Sequence, residues 1–327
     1  MQASQRWVLA AATAGVLFAA PTQAQQPAQS YPSKPIRMVS STTAGGQPDT
    51  IARMIAQKMS EHWGRPVIMD NRPGAGGVLA GNLVAKAAPD GHTLLYVLPN
   101  FVITPALQPT LPFDPIKDFA GAAQVGVSTN ILVASPTLGV KTTKDFIALA
   151  KSQPGKLIYG SGATGTAGHL SGARFALVAG IKVLHVAFKG GPDAAIEVLA
   201  GRSHFTVSTM GVALPFVKEG KMVALAVLSP QRAPVLPDVP SLSELQAEFK
   251  RPETSHGIVV PAGTSRAILN QISKEVARVL ALPDIKERLQ SISFVSAPTT
   301  PEAYDRLLRE QLDTVSRLVA DIGMRPK

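Results

Sequence analysis

Apolar positions along this chain keep two rhythms that alternate. Short apolar runs at residues 36–39, 67–69 and 93–97 read as strands, bounded by Gly, Pro, Asn and Asp. Between the first two, Ile51, Met54, Ile55 and Met59 recur at helical spacing. Residues 78–87 predict a further helix that stops before the turn Pro89-Asp90-Gly91. A second cycle starts near Ile131, with a strand at ILVAS, a helix over 144–151 capped by Thr142 or Thr143, and a strand at LIYG. The alternation continues: a helix over 167–179 ending at Gly180, a strand over 183–187, a helix over 192–200, and strands over 204–208 and 222–228. The Pro-rich segment 229–240 reads as a loop, after which Ser241 and Glu244 have the spacing of a capping box. Helices over 265–281 and 301–322 close the chain, the second with Pro at its first turn.

Strands alternating with helices define an α/β protein. At 327 residues and 45% hydrophobic composition the chain can bury a large core, and its length suits about two domains. The start differs in character. Arg6 precedes an apolar run over 7–20, and Thr22-Gln23-Ala24 places small residues where a signal peptidase reads, so residues 1–24 are expected to be a signal peptide. That run is shorter than the roughly 20 strongly apolar residues of a membrane span. With no cysteine, disulfides, thiolate metal sites and lipid attachment at a mature N-terminal Cys are excluded. The net charge of +10 is spread along the chain without aromatic interleaving, which argues against nucleic acid and leaves a general attraction for small anions.

In an open α/β sheet, ligands gather where strands hand over to helices at their carboxyl ends. Three hand-overs here are glycine-rich: residues 41–49 (STTAGGQPD), 71–77 (NRPGAGG) and 160–169 (GSGATGTAGH). Glycine lets backbone approach a ligand closely, and a helix N-terminus presents unpaired N–H groups that favour anions. Ser41, Thr42, Thr43, Ser161, Thr164 and Thr166 add uncharged hydroxyl donors suited to carboxylate oxygens. A Gly-Gly followed by Pro-Asp and an apolar helix occurs twice, at 44–56 and 189–200.

The run GSGATG also fits the dinucleotide fingerprint, but no acidic residue follows before Asp193, where a ribose contact is needed about 20 positions on. A nucleotide-dependent oxidoreductase is the minor alternative. No H-E-x-x-H, G-x-S-x-G or P-loop signature is present. Of the histidines, His169 and His204 are the two whose placement could bring them to a cleft.

Ordered motifs over nearly all of the mature chain resemble the periplasmic solute receptors of tripartite tricarboxylate transporters, the TctC-like or Bug proteins. They include YPSKPIRMV, AGGQPDTIARMIAQKMSE, VIMDNRPGAGG, AKAAPDGHTLL, SQPGKLIYGSGATGTAGHLSG, RAPVLPDVPSLSE and VVPAGTSRAILNQI. The resemblance implies a type II periplasmic-binding-protein fold: two α/β lobes joined by two crossing segments, with a ligand cleft between them. Crossings are expected near Asn130 and His256, giving one lobe of 31–130 plus 257–327 and another of 131–256. It further implies a binding protein rather than an enzyme, one that holds a small organic acid and passes it to membrane transporter subunits. Neither a cofactor nor a metal is implied, and a monomer is expected. By position, Ala44, Gly45 and Gly46 would supply backbone donors, and Ser161, Gly162, Thr164, Gly165 and Thr166 would hold the far end of the ligand. Thr42, Thr43, His169 and His204 complete the candidate lining. Asp49 is expected to cap or orient the first helix.

Three departures stand out. Ser41-Thr42-Thr43 replaces the family's Pro-aromatic-Pro, Ser203-His204 its Val-Asp, and Ser255-His256 its Trp-Tyr. If these line the cleft, hydroxyl and imidazole would favour a more polar or more anionic ligand. A ligand-sensing module for a membrane signalling partner would share all of these features and is the other alternative.

Overall fold

The computed structural model describes residues 31–324 apart from 109, 163, 230 and 246–254; the signal peptide expected at 1–24 lies outside the described residues. The chain first builds β1 (Ile36–Ser40), α1 (Gln47–Trp63), β2 (Val67–Asn71), α2 (Val78–Ala85), β3 (Thr93–Val97), α3 (Asn100–Leu107) and β4 (Phe119–Ser128). It continues with β5 (Asn130–Ala134), α4 (Thr143–Ser152), β6 (Ile158–Ser161), α5 (Ala167–Ala179) and β7 (Leu184–Ala187). Then come α6 (Gly191–Leu199), β8 (Phe205–Thr209), α7 (Met210–Lys218), β9 (Val223–Leu228) and the short α8 (Leu242–Leu245). β10 (His256–Pro261), α9 (Arg266–Ala281), α10 (Pro283–Ser291), β11 (Phe294–Ser296) and α11 (Pro301–Asp321) complete it.

These strands form two sheets, ordered β11-β4-β10-β3-β1-β2 and β7-β6-β8-β5-β9. In the first sheet β1 pairs in parallel with β2 and β3, while β10 runs antiparallel to β3 and β4. In the second, β6 is parallel to β7 and β8, and β5 is antiparallel to β8 and β9. The chain leaves the first sheet at Ser128, enters the second at Asn130, and re-enters the first at His256. Two α/β lobes of the type II binding-protein fold result.

Both lobes are cored by the same logic. Along the fully buried β5, Leu132 and Ala134 face one apolar cluster while Ile131 and Val133 face another, as the two-residue period of a strand with helices on both sides demands. The first cluster centres on aromatic rings: Phe205 lies 5.0 Å from Tyr159 and 4.9 Å from Phe146, centroid to centroid. In the other lobe, α1 buries Ile51, Ile55 and Met59 on one face and packs against β2 and α9. Its first turn carries Pro48 and Asp49, residues that suit a helix start. The Thr142 capping box closes fully, with Thr142 Oγ1 accepting from Asp145 N and Asp145 Oδ2 accepting from Thr142 N, each at 3.1 Å.

Six elements, α3, β4, α7, β10, α10 and β11, were not expected from the sequence. Residues 100–107 hold Phe, Val, Ile, Thr and a Pro, all poor helix formers, yet form α3 because Val102 and Ile103 are buried in the first lobe's core beside α11. β4 is Gly- and Ala-rich, a weak strand sequence. Its small residues let α11 approach closely: a Cβ on Gly121 would stand 2.8 Å from Asp305 Oδ1. α7 runs through Gly211 and Pro215, and α10 starts at Pro283 straight after α9.

Candidate ligand site

α1, α2 and α3 follow the carboxyl ends of β1, β2 and β3, and α5, α6 and α7 follow those of β6, β7 and β8. Both crossings lie at these same ends, since Asn130 sits opposite Thr209 and His256 opposite Gly126. The two lobes therefore bring their helix N-termini towards one another. A Cβ on Gly211 of α7 would approach Gln47 Nε2 of α1 to 3.2 Å, and one on Gly165 would approach Leu107 of α3 to 2.8 Å.

The loops before α1 and α5 are built alike. Gly45 and Gly165 have φ of +85° and +81°, a region costly for any residue with a Cβ. Each donates its N–H to the side chain four residues on: Gly45 to Asp49 Oδ2 at 2.8 Å, and Gly165 to His169 Nδ1 at 3.0 Å. The next residue, Gly46 or Thr166, is the helix N-cap. Asp49 accordingly orients the start of α1, and also accepts from Arg53 Nε and Asn71 Nδ2, both at 2.8 Å. Burial alone would raise its pKa, yet hydrogen bonds from Arg53, Gly45 and Asn71 hold it below the ordinary carboxylate range. His169 is 5% exposed; burial, with His185 beside it, lowers its pKa to about 4, so it is neutral and able to accept at neutral pH.

Several expected lining residues turn inward. Thr42 is buried, its Oγ1 taken by Asn71 Nδ2 at 3.2 Å. Ser161 is 1% exposed and its hydroxyl meets His185 Nε2 at 2.8 Å. The ring of His185 stacks on His169 with centroids 3.9 Å apart. Thr166 Oγ1 accepts from His169 N at 3.3 Å, a helix cap. Thr43, Ala44, Gly45 and Thr164 are exposed. The N–H groups of Ala44, Gly46, Gln47, Ala167 and Gly168 have no partner among the described residues.

His204 does not join this group. It precedes β8, and its Nδ1 accepts from Ile158 N, at 2.7 Å, at the amino end of β6. The loop leaves from the other end, about 10 Å along a strand rising 3.3 Å per residue. Ser203, Ser255 and His256 are each at most 3% exposed. His256 is enclosed at the return crossing, its Nδ1 3.1 Å from Tyr96 Oη and its Nε2 3.1 Å from Ser128 Oγ. These positions form packed interior.

Two features outside the candidate site residues support the loops, the N-terminus of α6 and the second glycine-rich loop. Gly162 is pressed against the N-terminus of α6, where a Cβ would stand 2.5 Å from Gly191 N. The repeated Gly-Gly, Pro-Asp pattern at residues 190–193 was the available signal. The second glycine-rich loop serves the first: Asn100 Nδ2 and Thr104 Oγ1 both donate to Gly76 O at 2.8 Å, and Asn100 reaches Ser41 Oγ at 3.4 Å. The cavity there, about 20 Å³, has room for one water and not for a carboxylate. Among the described residues no group of His, Asp and Glu could hold a metal ion, and no helix is long and apolar enough to cross a membrane.

Two α/β lobes opposing helix N-termini across paired crossings define a solute-binding protein of the type II periplasmic class. Residues 51–324 match the tripartite tricarboxylate transporter family receptor, and the chain belongs to that family of solute receptors. It is 31% identical to the UPF0065 protein in the tcbD-tcbE intergenic region of Pseudomonas sp. (strain P51), over 94% of this chain and 93% of that one. Among solved structures, R. palustris Rpa4515 with adipate superposes with a TM-score of 0.83 at 27% identity, covering 91% of this chain and all of the other. MatC from Rhodopseudomonas palustris with bound malate gives 0.77 at 28% identity, covering 88% and 100%.

Proposed function

We propose that this chain is a periplasmic, non-enzymatic receptor that closes two lobes, residues 31–130 plus 257–327 and residues 131–256, on a small organic carboxylate and delivers it to a tripartite tricarboxylate-type transporter. The observation that carries this reading is the matched pair of glycine loops, one per lobe, each ending at a helix N-terminus with unpaired amides. A carboxylate held by Ala44, Gly46 and Gln47 on one side gains charge-assisted hydrogen bonds of about 1.5–3 kcal/mol each. A second polar end, held by Ala167, Gly168 and the Thr164 hydroxyl, ties the lobes together, so closure and binding are one event. Thr43 flanks the first grip. Thr42, Ser161, Thr166 and His169 shape the loops from behind, and Gly162 and Gly165 let them pass close to α6 and α3. The acids named with the two related structures, adipate and malate, support the ligand class.

The test is a thermal-shift and calorimetric screen of the full chain with malate, adipate, citrate and benzoate against uncharged diols of matched length. Stabilisation by one or more acids, with none from the diols, is expected. Stabilisation by uncharged solutes alone would overturn the reading.

A further inference from the structure

Lysines gather on one face of the second lobe. Residues 135–192 carry Lys141, Lys144, Lys151, Lys156, Lys182 and Lys189 against a single acidic residue, Asp145. That carboxylate is itself engaged, capping α4 through the Thr142 N–H. Lys144 and Lys151 lie seven residues apart on α4, two turns and about 10 Å, so they project from the same helix face. The fold brings others to them. The Lys151 stem comes within 4.0 Å of where a Cβ on Gly180 would stand, and the Lys182 carbonyl accepts from Gly155 N at 2.8 Å, beside Lys156. Lys156 and Lys182 precede β6 and β7, so this face lies at the amino ends of those strands, away from the glycine loops at the carboxyl ends.

Lys141, Lys144, Lys151, Lys156 and Lys182 are all exposed, and none has an ion pair among the described residues. Lysines of the first lobe are placed differently: Lys34, Lys58 and Lys117 lie within 3.4 Å of Asp90, Asp284 and Asp114. Like charges gathered without counter-charges repel one another, a cost that an anionic partner turns into attraction. Two observations say which kind of partner. Protein interfaces are depleted of Lys and centre on aromatic and Arg side chains. Here the aromatic residues Phe146, Tyr159 and Phe175 are all buried, and two exposed large apolar side chains beside the lysines are aliphatic. These are Leu177, 52% exposed and three residues before Gly180, and Leu184, 56% exposed and two after Lys182. Ammonium groups on flexible stems need no fixed register. They suit a fluid array of phosphates, with leucines entering the acyl boundary beneath it.

We propose that this face docks the protein on an anionic phospholipid surface, with the five lysines on the headgroup phosphates and the glycine loops left uncovered. It does not depend on the receptor reading of those loops. The test is co-sedimentation of the full chain with vesicles of phosphatidylglycerol mixed with phosphatidylcholine, against vesicles of phosphatidylcholine alone. Wild type should bind the anionic vesicles and not the neutral ones, and added salt should weaken the binding. Replacing Lys144, Lys151 and Lys182 together by Gln should weaken it about fivefold per lysine, about a hundredfold in all. Replacing Lys86, Lys274 and Arg309 of the first lobe by Gln removes the same net charge and should change it far less. All six side chains lack an ion pair among the described residues, and circular dichroism confirms that both variants fold. No binding to anionic vesicles, equal binding to neutral ones, or an equal loss in the two variants would each overturn the proposal. So would lysine-dependent binding of poly-glutamate without binding to vesicles, which would assign the face to an acidic protein.

Discussion

Acidification should weaken this protein through His256. The ring is 3% exposed between Tyr96, Ser128 and Phe294 at the return crossing, and burial brings its pKa down to about 4. In the unfolded chain the value returns to about 6.5. Between those values the unfolded chain binds a proton that the folded one does not, so stability rises with pH through this window and falls on acidification. From pH 7 to pH 5 the change spans about 1.5 units at 1.36 kcal/mol each, so His256 alone removes about 2 kcal/mol. His169, His185 and His204 are shifted in the same direction and add to the total loss. Comparing wild type with His256→Gln cancels their share. Urea unfolding at both pH values should show wild type losing about 2 kcal/mol more than the variant over this range. An identical pH dependence in the two proteins would refute the assignment of a buried, neutral imidazole at the crossing.

Asp49→Ala strands the Gly45 amide, the Arg53 guanidinium and the Asn71 amide, and should cost about 3 kcal/mol or more in urea unfolding while loosening acid binding. A loss below about 0.5 kcal/mol, the size of an ordinary surface change, would count against the network. The Asp49 contribution is fully present above the unfolded carboxyl value near 4 and is lost as pH falls below it towards the folded value. Gly162→Ala forces a methyl within 2.5 Å of Gly191 N, so the loop must move; calorimetry should show acid binding lost with the far-ultraviolet spectrum unchanged. Gly172→Ala sets a methyl 2.1 Å from Tyr159 Cζ in the second lobe's core and should destabilise by about 1–3 kcal/mol on melting, whereas an unchanged transition would contradict that packing.

Elements with strong local signals were legible in the sequence. The apolar face of α1, the Thr142 cap of α4 and the start of α11 at Pro301 each follow from residues next to one another. What was illegible depends on neighbours far along the chain. The helix α3 overrides its own composition because α11, some 200 residues later, supplies its packing. The small residues of β4 make sense only beside Tyr304 and Asp305. At the site the same division holds. Glycine marked both loops, but which hydroxyls turn inward is set by Asn71 for Thr42, 29 residues away, and by His185 for Ser161, 24 away. The His204 position misleads for a related reason: strand direction decides which end of β8 meets the ligand loops, and that direction is fixed only by pairing with β6.

A crystal structure of the full chain with the best-stabilising acid bound would decide whether amides of two lobes share one anion. One carboxylate oxygen should lie within hydrogen-bond distance of an N–H among Ala44, Gly46 and Gln47, with the ligand's other end reaching Ala167, Gly168 or Thr164. An acid found elsewhere, or bonded to side chains of a single lobe, would contradict it.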